Sequence, residues 1–103
     1  MISISEYKAT LERYGVEVKI YNDGVVSGNI EGEMISVWNT GGWAMMWPDI
    51  GFENGKFKDF QSTCDLYEEV DGFEKAVNEL VKKYKTLKIQ QKMKKIEGIF
   101  NDY

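Results

Sequence analysis

The sequence lacks histidine, and it has only one cysteine and one proline among 103 residues. The absence of histidine excludes Ser-His and Cys-His nucleophilic pairs as well as histidine-ligated metal sites. The single cysteine, Cys64, excludes an intrachain disulfide and a thiolate metal cluster. Neither a G-x-x-x-x-G-K-S/T nor a G-x-G-x-x-G motif occurs, so no phosphate-binding loop is indicated. We therefore expect no enzymatic activity, no metal and no cofactor.

Long apolar runs and linker-like segments are also missing. No run of about 18 apolar residues is present, which predicts that nothing spans a membrane. The start, MISISEYK, lacks the basic-then-apolar pattern of a signal peptide, so we expect a cytoplasmic protein. With no repeat and no low-complexity stretch, the length predicts a single domain over residues 1–103.

Arginine is scarce, and the charge is divided unevenly along the chain. Arg13 is the only arginine, and the net charge is −4. Residues 1–79 carry 15 acids and 6 bases, a balance of −9, whereas residues 80–103 carry 7 bases and 2 acids, a balance of +5. The sequence therefore predicts an acidic body with a lysine-rich C-terminal helix, a division that concerns partners more than fold.

The chain contains clear signals for both helices and strands. A capping box at Ser3 and Glu6 predicts a helix over 4–14, which Gly15 can end. Strict alternation predicts a strand over 16–21, followed by an Asn-Asp-Gly turn and a second strand over 25–30. A smaller hairpin or an irregular loop follows around Asn54 and Gly55. We predict an α+β fold with an N-terminal helix, a four- or five-stranded antiparallel sheet and a C-terminal helical region.

The most aromatic stretch, 34–48, predicts a β-hairpin turned near Gly41 and Gly42. A loop of two or of four residues gives the same alternation. This alternation places Trp38, Trp43 and Trp47 on one face with Met45. The other face then contains Ile35, Val37, Ala44 and Met46. The tryptophan face is either core covered by the helices or a protein-binding patch.

The C-terminal region carries two apolar arcs. A capping box at Asp71 and Glu74 opens a helix whose first arc contains Phe73, Val77, Leu80, Val81, Tyr84 and Leu87. The second arc points nearly opposite and contains Ile89, Met93, Ile96 and Phe100. Either the helix breaks near residues 86–87, or one helix of about 42 Å projects from the body and needs a partner.

Two charged groups are candidate binding sites. The acids Asp65, Glu68, Glu69 and Asp71 lack the alternating oxygens and central glycine of a calcium loop, which leaves a solvated face or a surface for a protein partner. A set of lysines falls within about 80° on one helical face and indicates either a solubilising face or a phosphate-tracking face. These lysines are Lys85, Lys88, Lys92 and Lys95.

In its shortness, its acidity, its α+β character and its lack of enzyme motifs, the whole chain resembles the small anti-CRISPR proteins of phages and mobile elements in Gram-positive bacteria. The resemblance implies direct binding to a Cas9-type nuclease in the bacterial cytoplasm, which would block guide-RNA loading or DNA access. The partner-binding candidates are then the four acids and the three tryptophans. Two alternatives stay open: a nucleic-acid-binding accessory protein that uses the lysines, and a homodimer or larger oligomer formed through the C-terminal helix.

Overall fold

The computed structural model describes the backbone of residues 1–101 and the side chains of residues 1–94. The elements, in chain order, are α1 (Ile4–Arg13), β1 (Glu17–Ile20), β2 (Val26–Ile30), β3 (Glu33–Asn39), β4 (Trp43–Met46), β5 (Ile50–Glu53), β6 (Lys56–Asp59), β7 (Asp65–Tyr67) and α2 (Val70–Asn101). Five strands form an antiparallel sheet in the order β1-β2-β3-β4-β7, and β5 pairs with β6 separately. The predicted α+β fold is confirmed. Neither described helix has an apolar stretch long enough to cross a bilayer.

The N-terminal helix begins as predicted. The Glu6 N–H donates to Ser3 Oγ at 3.1 Å, and the Ser3 N–H donates to the Glu6 carboxylate at 3.0 Å, which completes the capping box. Gly15 follows the helix with φ +76°, a conformation that glycine adopts without strain. The helix buries Tyr7 and Leu11 against the sheet.

A glycine in β2 lets α1 approach the sheet closely. A Cβ atom at Gly28 would lie 2.9 Å from Leu11 Cδ1, so a side chain there would force the buried Leu11 side chain to move. The strand pairing also shifts between Gly28 and Asn29, where β3 contains the additional residue Ile35. Gly28, which interrupts the apolar pattern in the sequence, therefore permits the contact between α1 and the sheet.

The tryptophan hairpin has an odd-numbered loop, and the predicted faces are wrong. Asn39 pairs with Trp43 across a three-residue loop whose last residue, Gly42, has φ +90°. Trp38 therefore lies opposite Ala44, on the face that α1 and α2 cover. Trp43, Met45 and Val37 lie on the other face, and alternation places Trp47 with them. One residue of loop length accounts for the whole difference.

The core lies between the sheet and the two helices. The Tyr7 ring stacks on Phe73 of α2 with centroids 5.2 Å apart, and both residues are fully buried. The Tyr7 hydroxyl donates to Ser36 Oγ at 2.9 Å, and the Ser36 hydroxyl donates to the Met45 carbonyl at 2.6 Å. Burial raises the pKa of Tyr7 far above its ordinary value, so the phenol stays protonated as a donor.

The C-terminal helix starts earlier than the predicted capping box at Asp71, and it has no break near residues 86–87. It begins at Val70, and the Glu74 carboxylate accepts hydrogen bonds from Arg13 and Tyr14 rather than completing a capping box at Asp71. These bonds, the one from Arg13 above all, hold the pKa of Glu74 below its usual value. The helix is unbroken over 32 residues, about 48 Å at 1.5 Å per residue. The molecule is accordingly 57 Å long but only 27 Å and 23 Å across.

The small hairpin predicted around Asn54 and Gly55 is present as β5–β6, but it lies outside the main sheet. Its two phenylalanines pack on Tyr84 of α2: the Phe57 ring meets it edge-on at 5.1 Å, and the Phe52 ring stacks at 6.4 Å. The fifth strand of the main sheet is instead β7, from the acidic segment. Leu66 of β7 is 63% exposed.

The end of β6 contains a carboxyl group with an unfavourable environment. One carboxylate oxygen of Asp59 is buried without a hydrogen-bond partner, while the other accepts from the Gln61 N–H at 2.8 Å. Burial raises the pKa of Asp59 to about 6, and the nearby charges of Glu33 and Asp49 act in the same direction. The native state therefore binds this proton more tightly than the unfolded state does. The stability gained from that proton is present below about pH 4 and is lost as pH rises through about 6.

Asp59→Asn should consequently stabilise the protein at pH 8 but not at pH 4. A pKa unit corresponds to about 1.4 kcal/mol, and solvent screening of this half-buried group reduces the two-unit effect to about 1 kcal/mol. Urea unfolding at both pH values measures the difference. Asp23→Asn is the matched control, since the Asp23 carboxylate also accepts a backbone N–H two residues further on, but is exposed. An Asp59→Asn variant whose advantage is the same at both pH values would contradict the assignment.

Candidate protein-binding surface

The four predicted acids are close in sequence where β7 leads into α2, but Asp65 pairs with Met46 on the helix side of the sheet and lines a different depression from Glu68 and Glu69. Asp65 is in β7, Glu68 and Glu69 form the connection, and Asp71 is in the first turn of α2. All four are exposed. Among the residues whose side chains are described, the only cation that pairs with any of them is the N-terminal amine, 3.4 Å from the Glu69 carboxylate. These four residues, called the acidic edge below, therefore present negative charge that is largely unneutralised.

The structure brings one of the three tryptophans to the acidic edge. Trp43 is half-buried and lines a shallow depression of about 190 Å³ together with Glu68, Glu69 and Met1. Met1 reaches this position because the Ile2 N–H donates to the Gly42 carbonyl at 2.7 Å. An aromatic ring thus lies directly beside two exposed carboxylates.

The other two tryptophans lie elsewhere. Trp38 is packed on the helix side of the sheet, where its indole N–H donates to the Ile2 carbonyl at 2.9 Å. Trp47 is half-buried just past the end of β4, outside the depression that contains Trp43. Trp38 therefore has a structural role, and of the three predicted tryptophans Trp43 is the one beside the acids.

The sheet face next to the acidic edge is partly apolar, and neither of the two described helices packs on it. One row of side chains crosses all five strands on this face: Lys19, Ser27, Val37, Met45 and Leu66. The half nearer β1 is polar, whereas Val37, Met45, Leu66 and Trp43 form an apolar half, called the open sheet face below. Both helices pack on the opposite face. Sequence reasoning missed this surface because the hairpin loop length decides which residues it contains.

The lysine face of α2 is less uniform than the sequence predicts. The Lys88 ammonium donates to the Tyr84 hydroxyl at 3.0 Å and lies 3.5 Å from the Glu31 carboxylate, and the bond to Tyr84 raises the pKa of Lys88. Lys85 and Lys92 are exposed. Lys95 lies outside the residues whose side chains are described. Part of this face therefore stabilises the contact between α2 and the β2–β3 turn.

An open groove of about 420 Å³ lies between the end of α1, β2 and α2. Its lining includes Tyr14, Asn29, Val81 and Tyr84, and none of the acidic edge. In the described part of the chain, no group of three or more histidine, cysteine, aspartate or glutamate side chains is placed to hold a metal ion. Comparison with protein-family models, curated proteins and solved structures found no match. The acidic edge with Trp43 is thus the strongest candidate site, on its own geometry.

Proposed function

We propose that this protein is a non-enzymatic inhibitor that binds a protein effector through the acidic edge and Trp43. The observation that supports the proposal is the set of exposed carboxylates beside a half-buried tryptophan. Tryptophan is enriched among the residues that dominate binding energy, and unneutralised charges on the rim of an interface accelerate association with a partner of opposite charge. The partner surface is therefore basic and has an apolar pocket that accepts an indole ring.

A nucleic-acid channel of an effector nuclease has this chemistry. Such a channel holds lysine and arginine side chains that contact phosphates, and an acidic protein surface competes for them. Together with the resemblance to small anti-CRISPR proteins, this favours a Cas9-type nuclease of a bacterial cytoplasm as the effector. Binding there would block guide-RNA loading or DNA access.

The test of the proposed surface is the triple variant Asp65→Asn, Glu68→Gln, Glu69→Gln. It keeps the size and polarity of three exposed side chains and removes their charges, so its melting temperature should stay close to that of the wild type. We expect the concentration needed for half-inhibition of DNA cleavage to rise by about tenfold or more, because attraction between the surfaces acts on the association rate.

A matched control removes the same charge elsewhere. Glu12, Glu17 and Glu53 are exposed and distant in sequence from the acidic edge, and their amide variants should inhibit as the wild type does. If both triple variants lost inhibition to the same extent, the effect would be due to net charge and not to the acidic edge. If the acidic-edge variant inhibited as fully as the wild type, the acidic edge would not be the binding surface, although the protein could still be an inhibitor.

A further inference from the structure

The second half of α2 carries an apolar stripe that its own body does not cover. Leu87 is the last residue of the helix that packs on the core, and beyond it Ile89 and Met93 are 59% and 56% exposed. At 100° per residue, they lie about 150° around the helix from the core-facing arc. Because α2 is continuous from Val70 to Asn101, this stripe points away from the body to which the helix belongs. In the sequence, the apolar residues Ile96 and Phe100 continue the same spacing.

The open sheet face is a second apolar surface, at the other side of the molecule's core. An antiparallel sheet can leave one face to water, but that face is then polar. Here Val37, Met45 and Trp43 are half-buried and Leu66 is 63% exposed on a face without a helix. A sheet with two apolar faces is stable when a further layer packs on the second one.

The charges that flank the two surfaces are opposite. On the helix, Lys85 and Lys92 are exposed and lie about 40° and 60° from Ile89. On the sheet, Glu68 and Glu69 are exposed and line the depression beside Trp43 at the edge of this face. The two surfaces are therefore complementary in both apolar character and charge.

We infer that the protein self-associates, with the projecting half of α2 from one copy packed on the open sheet face of a second copy. Pairing the helix stripes of two copies with each other would instead bring lysines against lysines, which like-charge repulsion opposes. The contact between helix and sheet is heterologous, since each copy contributes a different surface. This inference does not depend on the proposed inhibition of an effector.

The experiment uses one variant on each surface of the full-length chain. Leu66→Lys places a cation where a lysine-rich helix should pack, and Met93→Glu places an anion where an acidic surface should pack. We expect the wild type to associate in sedimentation velocity between about 1 and 500 µM at 50 mM salt. Each variant alone should have a dissociation constant raised by at least about tenfold, because like charges then meet in the contact. An equimolar mixture of the two variants should associate again, since one copy supplies an intact helix and the other an intact sheet face.

Two control variants introduce the same charges, one lysine and one glutamate, away from the two proposed surfaces. Ile20 is 61% exposed on the other edge strand but lies on the helix side of the sheet, so Ile20→Lys should associate as the wild type does. Gln91→Glu adds an anion about 160° around the helix from both Ile89 and Met93, and should also leave association unchanged. A wild type that stays monomeric at 500 µM would overturn the inference. So would association that Met93→Glu abolishes and Leu66→Lys does not, or a mixture that stays monomeric.

Discussion

Replacing Phe73 by alanine should lower the free energy of unfolding by about 4 kcal/mol, the range measured for buried aromatic truncations. Phe73 is fully buried and links three elements: its ring stacks on Tyr7 of α1 at 5.2 Å and lies 6.3 Å from Tyr67 of β7. Removing it leaves a cavity between the helices and loses the aromatic contacts on both sides. Urea unfolding at pH 7 measures the change.

Phe60→Ala is the control for this result. Phe60 is the same residue type but is 46% exposed beside β5, so its truncation should cost less than about 1 kcal/mol. A Phe73→Ala variant whose unfolding free energy lies within 1 kcal/mol of the wild type would show that α1 and α2 do not meet as described.

The second large effect distinguishes two tryptophans that are five positions apart in the hairpin. Trp38→Ala should cost about 3 kcal/mol, because the ring packs against the core and its loss leaves the Ile2 carbonyl without its indole donor. Trp43→Ala should cost about 1 kcal/mol, since Trp43 is half-buried on a face without a helix. Urea unfolding of both variants under the same conditions gives the difference.

This pair of variants tests the register of the hairpin directly. A three-residue loop places Trp38 and Trp43 on opposite faces of the sheet, whereas a loop of two or four residues places them on the same face. Equal losses of stability in the two variants would therefore contradict the observed register.

Locally encoded features of the fold could be predicted from the sequence. The capping box at Ser3 and Glu6 and the left-handed Gly15 involve neighbouring residues only, and both are present. The hairpin faces could not be predicted, because 40–42 can be read as part of an even or an odd loop, and a change of one residue reverses every side chain. Gly42 at φ +90° identifies the odd loop, but a sequence does not display φ.

The candidate surface was predicted in part. The exposure of the acids at 65–71 follows from their charge, but the position of Glu68 and Glu69 beside Trp43 depends on β7 pairing with β4, a long-range contact. β7 has three residues and carries the exposed Asp65 at the edge of the sheet. Charged, short edge strands avoid pairing with other chains but give a weak sequence signal.

The most direct test of the proposed function measures binding of the wild-type protein to a purified Cas9-type nuclease without its guide RNA. Calorimetry at 50 and 300 mM salt, on several orthologues, should show one-to-one binding that weakens as salt screens the charges. Binding should fall when guide RNA is already loaded, and inhibition of DNA cleavage should be strongest when the protein is added before the guide. No binding and no inhibition with any orthologue, in either order of addition, would contradict the proposed role.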